Sequence, residues 1–218
     1  MKVDRPAAGE ELNEGDITPA RQAATLVLLR AGADGPEVLL VQRNPQQRFM
    51  GGAWVFPGGA LHRDDAGHSA AAVRELREEA GILLPADTEL VAWSRWITPE
   101  EVKIRFDTWF FLAEAPSGTE ATADGGECVD ARWLRPAAAL DAHSRDELML
   151  VFPTIKHLEA LAGFDSVNAA LDKARNREVV PVQPKVVVRA GSAEVLMPGE
   201  PGYDSMPAAT RGRLGCSG

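Results

Sequence analysis

The segment from Phe56 to Ile82 constrains the fold of this chain more than any other, because it joins a glycine turn to a helix rich in glutamate. Residues 70–80 are good helix formers, and Ser69 is a suitable N-cap. Gly81 follows the last periodic residue, where a left-handed C-cap is expected. The sequence therefore predicts one helix, entered from a tight turn and ended at Gly81.

The two faces of this predicted helix differ in chemistry. The apolar face, which should pack on a sheet, consists of Val73, Leu76 and Ala80. Glu75, Glu78 and Glu79 stand at i, i+3 and i+4, so their carboxylates converge elsewhere. Like charges at this spacing cost about 0.2–0.5 kcal/mol per pair, unless a cation joins them. Ligands that offer only oxygen suit Mg²⁺ or Mn²⁺ and suit Zn²⁺ poorly.

The glycine turn just upstream strengthens this interpretation. Gly58 and Gly59 let the backbone pass close to a ligand, and a free carbonyl can complete a metal shell. The alternative is a solvated acidic helix face with no ligand. The glutamates and the glycine turn together favour a metal site.

The segment resembles the signature of the Nudix hydrolases, G-x5-E-x7-R-E-U-x-E-E-x-G-U, where U is aliphatic. The second half matches at every position from Arg74 to Ile82. In the first half, counted from Gly59, Asp65 stands in place of glutamate, and one extra residue separates it from Arg74. Two roles for Asp65 are open: it acts on a metal through water, or it only shapes the loop.

The resemblance implies a set of site residues. The expected metal ligands are Glu75, Glu78, Glu79 and the carbonyl of Gly59. Arg74 is expected to pair with a helix carboxylate, and at i+4 it can reach Glu78. One of the three glutamates, or a glutamate from a distant loop, would act as the general base.

Glu127 is the main candidate for the distant glutamate. It follows two glycines and lies six residues before Trp133, a spacing that is similar to that of Nudix enzymes with a catalytic glutamate in this loop. Asp124 and Glu120 are weaker candidates. The alternative for Glu127 is an ordinary exposed loop carboxylate.

The residues before the glycine turn resemble the coenzyme A diphosphatase branch of the Nudix enzymes. That branch carries L-L-T-x-x-S-x3-R-x3-G-x3-F-P-G-G, and the spacing from Leu39 to Gly59 is the same. Val41 replaces threonine and Asn44 replaces serine. The substrate-binding residues implied are Arg48, Gly52 and Gly58. Arg48 is suited to a phosphate, such as the 3′-phosphate of coenzyme A, or is simply a solvated loop arginine.

The order of elements predicts an α/β chain with a mixed sheet and helices on both faces. Strands are expected at residues 23–29, 37–43, 54–56, 88–97, 104–113 and 128–134, and helices at residues 136–140, 147–161 and 166–175. The Nudix fold implied by the resemblance is an α/β/α sandwich of this kind. Ser166 is a further expected N-cap, and residues 186–188 could add an edge strand.

Three regions are expected along the chain. Residues 1–19 are predicted to be a flexible leader, without the apolar core of a signal peptide. Residues 20–142 are predicted to form the Nudix domain. Residues 143–218 are predicted to be a helical extension and tail that pack on the same domain.

The composition limits the partners. A net charge of −9 and a pI near 5.0 argue against general binding of nucleic acid or of an anionic membrane. Two cysteines, Cys128 and Cys216, form no disulfide framework, which favours a reducing, cytoplasmic setting. The expected partner is a small nucleoside diphosphate derivative. The sequence does not determine the oligomeric state, and a homodimer is one possibility.

Several functions remain open at this point. The first is hydrolysis of coenzyme A or acyl-coenzyme A to 3′,5′-ADP and a 4′-phosphopantetheine product, with ADP-ribose or NADH as rival substrates. The second is a non-catalytic Nudix-fold binding or regulatory module, although such modules usually lose one of the glutamates of the signature segment, here residues 59–82 and called the box. The third is a diphosphate isomerase, for which Cys128 would have to be catalytic. The four tryptophans at strand positions could stack on an adenine, but core packing is the more common use.

Overall fold

The computed structural model of the chain describes residues 2–3, 12–13, 16–189 and 192–205. The strands in this part of the chain are β1 (Lys2–Val3), β2 (Arg21–Gly32), β3 (Gly35–Arg43), β4 (Trp54–Val55), β5 (Gly58–Ala60), β6 (Val91–Ile97), β7 (Phe106–Glu114), β8 (Cys128–Leu134), β9 (Pro181–Val182), β10 (Lys185–Arg189) and β11 (Ser192–Leu196). The helices are α1 (His68–Ala80), α2 (Pro136–Ser144), α3 (Phe152–Leu161) and α4 (Val167–Arg175).

A mixed sheet forms the centre of the molecule. Its strands follow the order β4-β3-β2-β7-β6-β9, with β5 paired to β2 and β8 paired to β3. Strands β2 and β3 form an antiparallel hairpin, whereas β2 and β7 are parallel. Strand β2 thus lies inside the sheet and contacts the strand β5 that carries the glycine turn.

Helices cover both faces of this sheet, as the α/β/α prediction requires. One apolar cluster joins α1 to the sheet through Ala24, Leu26 and Leu76, all fully buried. The other cluster joins the opposite face to α2, α3 and α4 through residues such as Val27 and Leu158. Because consecutive residues of β2 point to opposite faces, its unbroken apolar run supplies both clusters.

Helix α1 begins earlier than the sequence predicted. Its first residue is His68, and its N-cap is Gly67, at φ 128° and with no side-chain hydrogen bond, so the assignment of Ser69 as N-cap was wrong. The predicted C-cap is confirmed, since Gly81 is left-handed at φ 67° and its N–H donates to the Arg77 carbonyl. Val73 is only half-buried, because the buried face is centred on Leu76.

Two segments after the box differ from the sequence-based expectation. Residues 147–151 do not begin a helix; Leu150 forms a parallel bridge with Trp54, and α3 starts at Phe152. Residues 186–188 do lie in an edge strand, β10, but it belongs to a separate three-stranded sheet of β1, β11 and β10 and not to the main sheet. The edge strand of the main sheet at this side is instead β9 (Pro181–Val182), which pairs in parallel with β6.

Other parts of the chain agree with expectation. Ser166 caps α4, and its Oγ accepts from the Ala169 N–H at 3.2 Å.

The boundaries at residues 20 and 143 remain predictions. Much of the proposed leader lies outside the described residues, as does Cys216. In the part of the chain that the structure describes, no helix combines the length and the apolar character needed to cross a membrane.

Candidate active site

The carboxylate of Glu79 lies under the glycine turn. It is 2% exposed, and its Oε2 accepts from the backbone N–H of Gly58 at 2.9 Å. Its other oxygen, Oε1, is buried and has no hydrogen-bond partner among the described residues. Burial raises the pKa of Glu79 to about 8, against the opposing effect of the Gly58 N–H. A buried carboxylate with one unused oxygen is costly unless a further positive group joins it.

Glu75, one turn earlier, lies against the second glycine of the turn. It is 7% exposed, and a Cβ placed on Gly59 would be only 2.4 Å from Glu75 Oε1. Only glycine leaves room for this carboxylate. Burial raises the pKa of Glu75, and the hydrogen bond from Arg74 opposes that rise.

Arg74 holds three acidic side chains at once. Its Nη1 donates to Glu75 Oε1 and to Glu78 Oε2, each at 2.8 Å. Its Nε and Nη2 donate to the two carboxylate oxygens of Asp65, each at 3.0 Å, and Nη2 also donates to the Ala60 carbonyl. The predicted pairing of Arg74 with Glu78 is present, and the arginine also links helix α1 to β5.

The contacts of Asp65 explain the irregular first half of the signature. Both of its oxygens are engaged by Arg74, and Oδ2 also accepts from the His62 N–H at 2.8 Å. The hydrogen bonds from Arg74 hold the pKa of Asp65 at about 2. In this arrangement Asp65 shapes the loop and orients Arg74, which is the second of the two roles that the sequence left open.

The donor set fits a hard divalent cation, although the carboxylates point to different partners. Over the described residues, no three His, Cys, Asp or Glu side chains are grouped as a ready metal cluster. Glu79 is bound to Gly58, while Arg74 holds Glu75 and Glu78. Oxygen-only donors and the buried, unpartnered Oε1 of Glu79 are what Mg²⁺ or Mn²⁺ would use.

Glu127 acts electrostatically on both Glu75 and Glu79. Its side chain is 55% exposed, and its negative charge acts to raise the pKa of both Glu75 and Glu79. Arg43, at the end of β3, approaches Glu127 Oε1 at 3.8 Å and acts to lower the pKa of Glu79. Glu127 therefore lies within electrostatic range of Glu75 and Glu79, and its catalytic role stays a prediction.

The other loop acids have different surroundings. Asp124 accepts three backbone N–H groups of its own loop, from Gly126, Glu127 and Cys128. Partial burial acts to raise the pKa of Asp124, and these donors together outweigh it, so that the pKa is lowered. The carboxylate of Asp124 is therefore used to hold its own loop in shape. Glu120 forms no hydrogen bond or ion pair with another described residue.

The loop of residues 44–53 contains the residues predicted to bind substrate. Arg48 is exposed and forms no hydrogen bond or ion pair with any other described residue. Gly52 is left-handed at φ 81°, and a Cβ there would lie 3.8 Å from Met149 Cε. A positive φ disfavours any other residue at this position. The backbone conformation alone therefore explains a glycine here, whether or not a ligand also approaches it.

Sequence reasoning missed Arg43. Its Nε donates to the Phe49 carbonyl at 3.3 Å, and its Nη2 donates to Gln47 Oε1, so it links β3 to the loop of residues 44–53. Nothing in the linear pattern identified this residue, because it occupies an unspecified position of the coenzyme A diphosphatase motif. Only the pairing of β3 with β8 brings it next to Glu127.

The remaining candidates are structural. Cys128 is fully buried, and burial raises the pKa of its thiol far above the usual range, which argues against a nucleophile. Trp93 is 3% exposed in the core, and Trp133 packs against the α1 cluster. His157 is buried on the opposite face, where it stacks on Phe110 at 4.1 Å.

These features define a family. The NUDIX domain matches residues 20–151, which is more than half of the chain. The chain belongs to the NUDIX family, whose enzymes hydrolyse diphosphate bonds and generally use divalent metal ions.

Curated relatives carry the same family name. A Caenorhabditis elegans protein named nudix hydrolase 7 is 26% identical over 68% of this chain and 63% of its own length. The uncharacterized Nudix hydrolase NudL of Klebsiella aerogenes is 47% identical over 28% of this chain and 51% of its own. The human acyl-coenzyme A diphosphatase NUDT19 is 23% identical over 78% of this chain and 73% of its own. The chain thus spans less than two thirds of the first two relatives.

Solved structures share the fold. A NUDIX hydrolase from Alicyclobacillus acidocaldarius superposes with a TM-score of 0.65 and 29% identity, over 72% of this chain and 97% of that one. The NUDIX domain of Shewanella oneidensis NrtR, complexed with ADP ribose, gives a TM-score of 0.52 at 19% identity, over 65% of this chain and 86% of that one. At that identity the second match supports the fold alone.

Proposed function

We propose that the protein is a hydrolase that depends on a divalent metal and cleaves the diphosphate bond of a nucleoside diphosphate derivative. The observation that carries the proposal is the buried pair Glu75 and Glu79 beneath the glycine turn, with Glu79 Oε1 unpartnered among the described residues. Retention of all three box glutamates argues against a non-catalytic Nudix module, because such modules usually lose one.

Each residue has a role in this proposal. Glu75 and Glu79, with Glu78 and the Gly59 carbonyl, would hold Mg²⁺ or Mn²⁺, which when bound neutralises the charge that builds on the phosphoryl oxygens. Arg74 orients Glu75 and Glu78. Glu127 takes a proton from the attacking water as the water oxygen bonds to phosphorus and the bridging oxygen leaves.

The proposed substrate is coenzyme A or acyl-coenzyme A, cleaved to 3′,5′-ADP and a 4′-phosphopantetheine product. Two observations support it: the spacing from Leu39 to Gly59, and the similarity to a human acyl-coenzyme A diphosphatase over most of this chain. Arg48 is exposed on the loop of residues 44–53 and is available for the 3′-phosphate, while Gly52 and Gly58 let the backbone approach the ligand. ADP-ribose and NADH are the rival substrates.

The first experiment compares turnover of coenzyme A, ADP-ribose, NADH and nucleoside triphosphates in Mg²⁺ and in Mn²⁺. We expect coenzyme A or its acyl derivatives to have the highest kcat/KM. Absence of turnover with every compound would favour the binding-module alternative.

The metal assignment is tested with Glu79→Gln. We expect kcat to fall about 10²–10³-fold, because the variant loses a charge that the transition state needs. In the absence of metal, the pKa of about 8 leaves the Glu79 carboxyl mostly neutral at pH 7, so its replacement by the neutral, equally sized glutamine should change Tm little. Glu114→Gln, at an exposed glutamate, is the matched control. Wild-type activity in Glu79→Gln would refute the assignment.

The role of Arg48 is tested by the difference between two substrates. Arg48→Ala should lower kcat/KM for coenzyme A far more than for dephospho-coenzyme A, which lacks the 3′-phosphate. Equal losses would remove Arg48 from 3′-phosphate recognition.

Two further proposals concern setting and assembly. A cytoplasmic setting accords with the buried free thiol of Cys128. A homodimer is tested by measuring the mass of the protein in solution.

A further inference from the structure

Two loops that are distant in sequence are tied together beside the carboxylates. The backbone N–H of Asn44 donates to the Glu127 carbonyl at 2.8 Å, and its side-chain Nδ2 donates to the Gly126 carbonyl at 2.8 Å. Gln47 Nε2 also donates to the Glu127 carbonyl, at 3.4 Å. The loop of residues 44–53 thus holds the residues around Glu127 from one side.

Asp124 holds Glu127 from the other side. Its Oδ2 accepts from the N–H groups of Gly126 at 3.0 Å and Glu127 at 2.8 Å, and its Oδ1 accepts from Cys128 at 2.7 Å. The Gly125 N–H closes the turn on the Cys128 carbonyl at 2.8 Å. Both backbone groups of Glu127 are therefore bound, although its carboxylate remains more than half exposed.

Asn44 uses both ends of its side-chain amide. Its Oδ1 accepts from the Gln46 N–H at 3.0 Å, which fixes the turn of its own loop, while Nδ2 reaches the Gly126 carbonyl. A side chain that offers only a donor or only an acceptor cannot make both contacts in this way. Asn44 thus makes the two shortest of the hydrogen bonds that connect the loop carrying Arg48 to the loop carrying Glu127, both at 2.8 Å, against 3.4 Å for Gln47.

We propose that Asn44 and Asp124 are positioning residues, which fix the backbone of Glu127 so that its carboxylate faces the reacting water. The inference rests on the proposed function, since it gives Glu127 the role of general base. It also couples the substrate loop to the base, because a displacement of residues 44–53 would move Glu127 through the hydrogen bonds of Asn44, with a weaker contribution from Gln47. Neither residue needs to touch the substrate.

Hydrogen exchange tests the connection without any need for activity. In Asn44→Ala we expect the amides of residues 126–128 to exchange about three- to tenfold faster than in the wild type, the factor that one neutral hydrogen bond represents. Gln46→Ala, at an exposed residue of the same loop, keeps the Asn44 contacts and should leave these amides unchanged. Unchanged exchange in Asn44→Ala would overturn the proposal.

A double-mutant cycle tests whether Asn44 acts through Glu127. In Mg²⁺, with the substrate that the wild type turns over fastest, Asn44→Ala should lower kcat about three- to tenfold and change KM less than twofold. In a Glu127→Gln background the same substitution should have no further effect on kcat. Asp124→Ala, which removes three acceptor contacts, should give a larger loss with the same dependence on Glu127.

The outcomes separate the two proposals. An equal loss of kcat in both backgrounds, or a full kcat in Glu127→Gln, overturns the positioning role while diphosphate hydrolysis stands. A wild type that hydrolyses no diphosphate overturns the proposed function. It also overturns the positioning role of Asn44 and Asp124, since that role depends on Glu127 acting as a general base.

Discussion

The substitution Gly59→Ala separates the catalytic need for glycine in the turn from the structural one. An alanine Cβ at residue 59 would lie 2.4 Å from Glu75 Oε1 and 2.6 Å from its carboxyl carbon. Ordinary contact begins near 3.4 Å, so the carboxylate must retreat by about 1 Å. The obstacle is the end of a side chain that can rotate, which means that the fold should survive.

The expected magnitudes follow from that geometry. A misplacement of about 1 Å at a reacting site costs about 10²-fold in rate, so kcat should fall by about that factor. The stability cost is limited to the Arg74–Glu75 hydrogen bond, and relief of the buried charge offsets part of it. We therefore expect the free energy of unfolding to fall by no more than about 1–2 kcal/mol.

Gly58→Ala is the matched control, because the neighbouring glycine meets backbone instead. A Cβ there would lie 2.7 Å from the Ala24 carbonyl oxygen and 2.8 Å from Thr25 Cα, both on β2. Overpacking against a central strand should cost about 3 kcal/mol and lower Tm by about 6–12 °C. Steady-state kinetics and thermal melts of both variants check the pair. Wild-type kcat in Gly59→Ala, or equal losses of Tm in the two variants, would refute the reasoning.

Two further predictions concern charge. The pKa of His157 is lowered from 6.5 to about 4 by burial, so the unfolded chain binds a proton that the folded chain refuses between those values. The contribution of His157 to stability should be complete above pH 6.5 and be lost towards pH 4, at up to about 1.4 kcal/mol per pH unit. Urea melts of His157→Phe should therefore show a smaller slope of stability against pH than the wild type. Equal slopes in the two proteins would contradict this origin. Asp65→Asn weakens the two hydrogen bonds that orient Arg74 and should lower kcat about 10- to 100-fold. The control Asp64→Asn, at an exposed residue, should leave kcat unchanged. Equal kcat values in the two variants would assign Asp65 no part in the site.

The sequence carries enough to predict the architecture, because local patterns determine it. The apolar runs of β2 and β3 and the strand that ends at Leu134 follow from periodicity and turn residues. The family match over residues 20–151 confirms the resemblance to the Nudix enzymes. Boundaries were less accurate where tertiary contacts decide them: residues 147–151 have helical character but are drawn out of α3 by the bridge from Leu150 to Trp54.

The site was predictable only in part. Glu75, Glu78 and Glu79 could be named because helical spacing fixes their relation. Gly59 could be named because glycine in a turn lets the backbone carbonyl approach a metal, as the Nudix resemblance implies. The partners of Arg74 could not be ranked from sequence, since i+4 spacing indicates Glu78 and says nothing of Asp65. Arg43 and Asn44 reach the site through strand pairing and loop contacts with no local sequence pattern, so they became visible only in three dimensions.

The close approach of the glycine turn to β2 also bears on how the sheet finds its alignment. Strand β2 is apolar on both faces, so a slip of one residue would still bury apolar side chains and alternation alone specifies its register weakly. Gly58 opposite Thr25 and Gly59 opposite Ala24 remove that ambiguity, because a neighbouring residue with a side chain would collide with the strand or with Glu75. The two glycines therefore fix the register of β2 against β5, and this register is the one that brings Glu75 and Glu79 beneath the turn.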